Sequence, residues 1–525
     1  MIKVKVLKPA EVTAQIKDGM TVCPIAMTLV SAAESILKDI EQTFLQTGHP
    51  CDLTVLHSCG QGDRKDGLLH LAHEHLVKRI IGSHWGLMPG WMSLIANNQV
   101  EAYCMPQGQI AQLYRSMACG LPGKLSKVGL GTFVDPRYEG GKMNTRTKPL
   151  EDMIDVMQVE GEDYLFYKKV PIDVCIIRGT ECDEMGNLTT DEEAMKLEVL
   201  EGVLACKRFG GKVFAQVKRI VQNGTLNPKS ITVPGVFIDG VVVCDNPLVD
   251  HRQSSSWYFD PSYSGQSRVM ADSIEPLPLT VRKVIGRRAL EEVKPGNIIN
   301  LGTGIPNDVV GNIANEEKIN EDIMITVESG IYGGVQSGGI DFGVGKNLYA
   351  MITHVHQMDY YDGAGVDVTF MGFGELDGEG NINATKMGPR CTGAGGFLDI
   401  TQNAKKIIFC GTFTASGCEF SFENHQLHIK QEGKIRKMVK QVAQYSFNGK
   451  IARDKGQEVF IVTERAVFKL VPDGVMLIEI AKGIDLQKDV LDLMDFKPIL
   501  SEDLKVIDTD IYNEGSFGLK EKILK

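Results

Sequence analysis

No Cys-x-x-Cys pair occurs among the twelve cysteines of this 525-residue chain, which removes the spacing on which zinc ribbons and dithiol redox sites depend. Scattered as they are, the cysteines read as small buried hydrophobes kept reduced. A basic surplus is missing too. Against 56 Lys and Arg stand 67 Asp and Glu, a formal net charge of −11, so no phosphate-backbone footprint and no nucleic-acid partner is expected. No apolar run reaches membrane-spanning length, and the opening MIKVKVLKPAEV carries no signal-peptide core. A cytoplasmic protein without a membrane partner is the expectation. Gly-x-Ser-x-Gly, the Walker P-loop and His-Glu-x-x-His are also lacking, which excludes a nucleophile elbow, an NTP cradle of that type and a zincin site.

The chain is 43% hydrophobic and 23% charged, the balance of an ordinary folded protein. It exceeds the roughly 250–300 residues at which one core stops growing, so at least two cores are expected. Glycine is the surplus residue: 56 occur, against a usual ~7% of a chain, without a Gly-X-Y period. Such a surplus points to tight turns and loops lined by backbone N–H groups, which in enzymes form phosphate or oxyanion sites.

Short β-rich runs alternate with helical patterns, as in βαβ units with parallel sheets. Strands are expected at 21–26, 53–59 and 100–105, with a helix over about 29–45. Ile110, Leu113, Tyr114 and Met117 share one helical face just after Pro106. Gln107 therefore stands where a strand's carboxyl end meets a helix start, the place where open α/β sheets bind ligands. A weak repeat relates Asp173-Val174 and Asp183–Asn187 to Asp367-Val368 and Asp377–Asn381. Upstream, Gly19 pairs with Gly296 at a different shift, so the first half is expected to hold an insertion between Gly129 and Asp173. The Ser-, Asp- and Pro-rich stretch 251–279 is the expected linker, giving an N-terminal unit 1–275 and a C-terminal unit 276–525. Near the end, 458–481 reads as an antiparallel hairpin, followed by a helix around 488–494.

Glu328 ends the expected strand 323–327 and precedes the Gly-rich Gly330-Ile331-Tyr332-Gly333-Gly334. Burying a charge there is costly unless hydrogen bonds compensate, so Glu328 is either a solvated strand-end acid or a carboxylate held as nucleophile or general base. Gly302 and Gly304 follow a strand at 297–300, and Gly393-Ala394-Gly395-Gly396 precedes Phe397. Both clusters read as tight loops lining a site or as ordinary turns. Pro306 breaks the dinucleotide fingerprint. His70 and His73 share a face of an expected helix and His75 points away, so no metal site is expected. His354 and His356 alternate onto one face of an expected strand and read as packed or surface residues.

TVESG around Glu328, LGTGIP at 301–306, CTGAGGFLDI at 391–400, PQGQIAQLYRSMACGLPG at 106–123 and GLGTFVDPR at 129–137 together resemble class I coenzyme A transferases. The resemblance is closest to the short-chain acyl enzymes of propionate or acetate type, and it covers nearly the whole chain in order. It implies two related open α/β domains with the active site at their interface, and no metal or permanently bound cofactor. Coenzyme A would be a substrate, passed between short-chain acyl-CoA and free carboxylates such as acetate, propionate, butyrate or lactate. Glu328 would be the nucleophile of a ping-pong reaction through a glutamyl-CoA thioester, with Gln107 and either Gly395 or Gly396 stabilising the oxyanion. Gly302, Gly304, Gly333 and Gly334 would line the substrate or CoA site, and a homo-oligomer is implied. An acyl-CoA hydrolase using the same Glu328 is the alternative, and a metabolite sensor has no use for such a nucleophile.

Overall fold

The computed structural model describes residues 3–270 and 274–524. Runs with almost no polar interruption build its central strands, because a parallel sheet covered on both faces buries every side chain. Val174–Arg178, for instance, is buried at all five positions. The first sheet contains β1 (Thr21–Pro24), β2 (Leu53–Leu56), β3 (Val77–Gly82), β4 (Glu101–Cys104), β5 (Val174–Arg178), β6 (Lys212–Val217) and β7 (Gly240–Val243). All its pairings are parallel, in the order β7-β6-β5-β1-β2-β3-β4. Helices α1 (Glu34–Thr47), α2 (Gln107–Ala118) and α3 (Val199–Arg208) belong to this half.

The second half begins with α4 (Val281–Leu290). Its sheet is built from β8 (Ile298–Leu301), β9 (Met324–Val327), β10 (Ile331–Tyr332), β11 (Ala350–Met351), β12 (Val368–Gly372), β13 (Lys406–Cys410), β14 (Glu458–Val462), β15 (Ala466–Val471), β16 (Gly474–Ile480) and β17 (Ile499–Val506). Strand order is β11-β10-β9-β8-β12-β13-β14-β15-β16-β17. The parallel centre β9-β8-β12-β13-β14 repeats the arrangement β2-β1-β5-β6-β7. Helices α5 (His354–Gly363) and α6 (Phe397–Asn403) lie between its strands in the chain.

The sequence repeat is a repeat of turn chemistry. The Asp183 carboxylate accepts from the Met185 and Asn187 N–H groups at 2.9 and 3.0 Å, and Asp377 accepts from Glu379 and Asn381 at 3.1 and 3.0 Å. Asn187 Oδ1 then takes the Gly235 N–H, as Asn381 Oδ1 takes that of Gly449. One large apolar cluster runs through both halves, from Val12 to Met494, and a second lies within the C-terminal half, from Val284 to Leu519. No helix among the described residues is long and apolar enough to cross a membrane.

Several readings change. The insertion in the first half falls in two places: a small antiparallel sheet (Gly123–Ser126, Ile154–Val159, Glu162–Lys168), and strands β3 and β4, which precede Gly129. The stretch 251–270 is packed: His251 and Ser254 are fully buried, and the Ser254 and Ser256 hydroxyls donate to Asp341; part of the expected linker lies outside the described residues. His70 closes a single 3-10 turn (Leu68–Leu71) and β3 starts at Val77, so no helix carries the three histidines; His70 and His73 both bond to Glu41, at 2.6 and 2.7 Å. Residues 458–480 form three strands, β14 to β16, with the Pro-Asp-Gly turn joining the last two. The expected 488–494 helix is a π-helical turn (Leu486–Val490) followed by a 3-10 turn (Leu491–Leu493).

Candidate active site

The carboxyl ends of both parallel sheets open onto one cavity of about 540 Å³. From the first half come Met27 and Thr28 after β1, Gly60 after β2, His84 and Gly86 after β3, and Gln107 at the start of α2. From the second come Gly302 and Gly304 after β8, Glu328 after β9, Phe373 after β12, and Gly393 to Ile400 leading into α6. In each half the first strand is flanked by the second on one side and a later strand on the other, which is the switch point where α/β sheets leave a crevice. Facing the two crevices at each other makes the site.

Glu328 is 5% exposed and its Oε2 has no hydrogen-bond partner among the described residues. Burial pushes its carboxyl up to about 7, against an opposing pull from His354. Such a group is poorly solvated, accessible from the cavity and close to ionising at neutral pH, the properties of a working nucleophile or base. Gly396 lies beside it: a Cβ there would come within 3.5 Å of the Glu328 carboxyl carbon. Gln107 is 2% exposed, and its N–H is anchored to the Gly395 carbonyl at 3.0 Å. A Cβ on Gly395 would sit 3.6 Å from Gln107 Oε1. Glu328, Gln107, Gly395, Gly396, Gly302 and Gly304 thus share the cavity although they are up to 289 positions apart in the chain.

Gly333 and Gly334 lie elsewhere. They turn the chain after β10 in left-handed conformation (φ +71° and +76°), and a Cβ on Gly334 would meet the Lys346 carbonyl at 2.1 Å. Turn geometry explains these glycines.

His354 and Glu198 are the residues missed by sequence reasoning. His354 opens α5 rather than lying on a strand, because Thr353 caps the helix by accepting from the His356 N–H; His354 is fully buried and His356 exposed. Its Nδ1 lies 2.7 Å from Glu198 Oε2 and its Nε2 3.0 Å from the Gln107 side-chain amide. The Ser58 hydroxyl donates to the other Glu198 oxygen, and Cys59 Sγ is 3.8 Å from His354 Nδ1. The Thr-x-x-His pattern could have signalled the cap; nothing in the sequence signals the pairing with a residue 156 positions away.

Arg64, Arg282 and Arg390 are exposed residues of the cavity lining, and Arg282 is paired with Asp308, which lines the cavity too. Met27, Phe342, Met371, Phe373, Phe397 and Ile400 supply apolar walls. The arrangement brings a buried, unpartnered carboxylate, a side-chain amide and a Gly-rich loop into one cavity with partly apolar walls.

A family model described as "Coenzyme A transferase" matches residues 6–244. The chain is 42% identical to caffeate CoA-transferase of Acetobacterium woodii, over 98% of both chains. It is 40% identical to acetate CoA-transferase YdiF of Escherichia coli (strain K12), over 98% of this chain and 96% of that one. A crystal structure of acyl-CoA transferase YdiF from E. coli O157:H7, a thioester complex with CoA, superposes with a TM-score of 0.91 at 37% identity, covering 98% of this chain and 97% of that one. Identity at this level over nearly the whole length means that the chain belongs to the coenzyme A transferase family and is a class I CoA-transferase.

Proposed function

We propose that the chain passes coenzyme A from a short-chain acyl-CoA to a free carboxylate through a thioester on Glu328. The observation that carries this reading is the buried Glu328 carboxylate, with Oε2 unpartnered among the described residues, in the cavity between the halves. Its carboxylate attacks the acyl-CoA carbonyl, and the tetrahedral adduct collapses to a mixed anhydride with release of CoA thiolate. The thiolate attacks the glutamyl carbonyl, giving glutamyl-CoA and the first free acid. A second carboxylate reverses both steps, so the kinetics are ping-pong.

Each addition creates an oxyanion, and preorganised donors lower that barrier. Gln107 provides a side-chain amide. Of the two glycines, Gly395 already gives its N–H to the Ser83 carbonyl at 2.9 Å, which favours Gly396 as the backbone donor. Gly302 and Gly304 line the same cavity, and Arg64 and Arg390 suit the phosphates of CoA. The apolar walls keep water from the anhydride and the thioester, as transfer rather than hydrolysis requires. The burial of Glu328 in a cavity that Phe342, Phe397 and Ile400 also line is the feature that disfavours a hydrolase. We place the enzyme in the cytoplasm as a homo-oligomer, the latter open to light scattering.

Caffeate, the aromatic acid in the name of one relative, bears on acceptor size, and a panel running from acetate to aryl acrylates measures it. Radiolabelled acetate added to propionyl-CoA should yield labelled acetyl-CoA without net thiol release; net thiol release would mean hydrolysis. Borohydride added after acyl-CoA, with no acceptor present, should inactivate the enzyme and label Glu328. Full activity after that treatment would remove the covalent intermediate.

A further inference from the structure

Gly396 is a glycine that the backbone does not ask for. It caps α6 at φ −81° and ψ 2°, a turn conformation open to most residues, whereas Gly393 and Gly395 of the same loop are left-handed at φ +75° and +54°. Packing does not demand it either. A Cβ on Gly393 would run into the Ser83 carbonyl, but on Gly396 the nearest atoms are three side-chain ends: Ile400 Cδ1 and Met358 Cε at 3.3 Å and the Glu328 carboxyl carbon at 3.5 Å. An alanine would fit once those tips give by a few tenths of an ångström. Gly396, Ile400 and Glu328 line the cavity, and Met358 is fully buried on α5. Beside the nucleophile the chain therefore leaves room for one carbon atom, with Gly396 behind it, two apolar tips at its end and the cavity as its mouth.

That room matches one atom of the acyl group. In an anhydride on Glu328 the acyl α-carbon is three bonds from the glutamyl carboxyl carbon, like successive Cα atoms across a peptide unit, a separation of about 2.9–3.8 Å. The 3.5 Å measured at Gly396 falls in that interval. An α-carbon seated there touches Gly396, Ile400 and Met358 and has one free direction, back into the cavity of about 540 Å³. One substituent on the α-carbon leaves that way. A second is driven against Ile400 Cδ1 or Met358 Cε, and a hydroxyl in that place meets only carbon, without a hydrogen-bond partner.

We propose that Gly396, Ile400 and Met358 form a seat for the acyl α-carbon, which selects carboxylic acids that carry no branch at that carbon. This rests on the reading of Glu328 as the group that accepts the acyl chain, and it narrows the substrate class. Acetyl, propionyl, butyryl and unbranched 2-enoyl groups fit the seat, because each has at most one substituent beyond the α-carbon. Isobutyryl and lactyl groups do not, the first for its second methyl and the second for its hydroxyl.

Butyryl-CoA and isobutyryl-CoA are isomers, so the ratio of their kcat/KM values on the full-length enzyme, with acetate as acceptor, reads the shape of the seat. Butyryl-CoA should be favoured about 10–200-fold, the range for one misplaced methylene in an apolar pocket, and propionyl-CoA should be favoured over lactyl-CoA by a similar factor. Ile400→Val removes Cδ1 alone and should shrink the preference between the isomers about tenfold. Gly396→Ala fills the seat but keeps the N–H of residue 396. It should melt with the native enzyme and lower kcat/KM for acetyl-CoA, with propionate as acceptor, about 100-fold, as a displacement of the reacting group by about 1 Å does. Equal use of the two isomers by the native enzyme, an unchanged ratio in Ile400→Val, or native turnover in Gly396→Ala would overturn the proposal. A large drop in the melting temperature of Gly396→Ala would do so as well, because packing would then account for the glycine. Failure of the reading beneath it shows separately: borohydride after acetyl-CoA would leave Glu328 of the native enzyme unlabelled.

Discussion

Glu328 occupies a position that works against the stability of the fold. Its carboxyl rises from 4.5 to about 7 because burial disfavours the charge, so between those values the folded chain holds a proton that the unfolded chain releases. Its contribution to stability is complete below pH 4.5 and is lost as pH rises through 7. At pH 8 the ionised side chain therefore costs roughly 3 kcal/mol. Glu328→Gln should be inactive, melt higher than the native enzyme at pH 8, and melt close to it at pH 5; equal melting at both would mean that the carboxylate is better solvated than its burial implies. For the native enzyme, kcat/KM should rise with pH through a limb near 7. Gln107→Ala should reduce kcat by about 10²–10³ while acyl-CoA binding changes little. A loss confined to KM would recast Gln107 as a binding residue.

At the scale of elements, α2 shows how far local pattern reaches. Ile110, Leu113, Tyr114 and Met117 are all fully buried, as their spacing requires. Its glutamines are buried as well: the Gln109 amide donates to Asp362 at 2.7 Å and Asp399 at 2.8 Å, and Gln112 donates to Asp359 at 3.0 Å. Those carboxylates sit on α5 and α6 in the other half, 247 to 290 positions away, and periodicity carries no trace of such partners. Gln109→Leu leaves two buried carboxyl groups short of a donor and should cost about 2–4 kcal/mol in denaturant unfolding. Arg115→Ala removes a pair to Asp359 whose arginine is 45% exposed, and should cost no more than about 1 kcal/mol. Similar losses from both would show that the Gln109 bonds add little. The misread His354 belongs at this scale too: Ile-Thr-His-Val-His alternates like a strand, and only the Thr353 cap tips it into a helix.

For the molecule as a whole, the larger apolar cluster is continuous from one half into the other. Neither half closes its own site, since Gln107 and Glu198 come from the first and Glu328, His354 and Gly396 from the second. If the chain divides at 275/276, the two pieces made together should copurify and regain exchange activity, whereas each alone should aggregate through its uncovered apolar face. A soluble C-terminal piece with a native melting profile would count against a shared core.

Strand runs, the helix behind Gln107, the related halves and the exposed-or-functional choice at Glu328 were all legible in the amino-acid order, because burial on a strand or helix face leaves a periodic record along the chain. The glycine surplus was legible as loops, and of the glycines assigned to the site Gly302, Gly304, Gly395 and Gly396 reach the cavity, while Gly333 and Gly334 serve a turn. Tertiary structure alone decided that two crevices face each other, that Gly395 has spent its N–H on Ser83, and that Glu198 meets His354 beside Gln107. Polar contacts between distant segments are specific in direction and distance, yet they impose no period on either segment, so they exist only once the chain has folded.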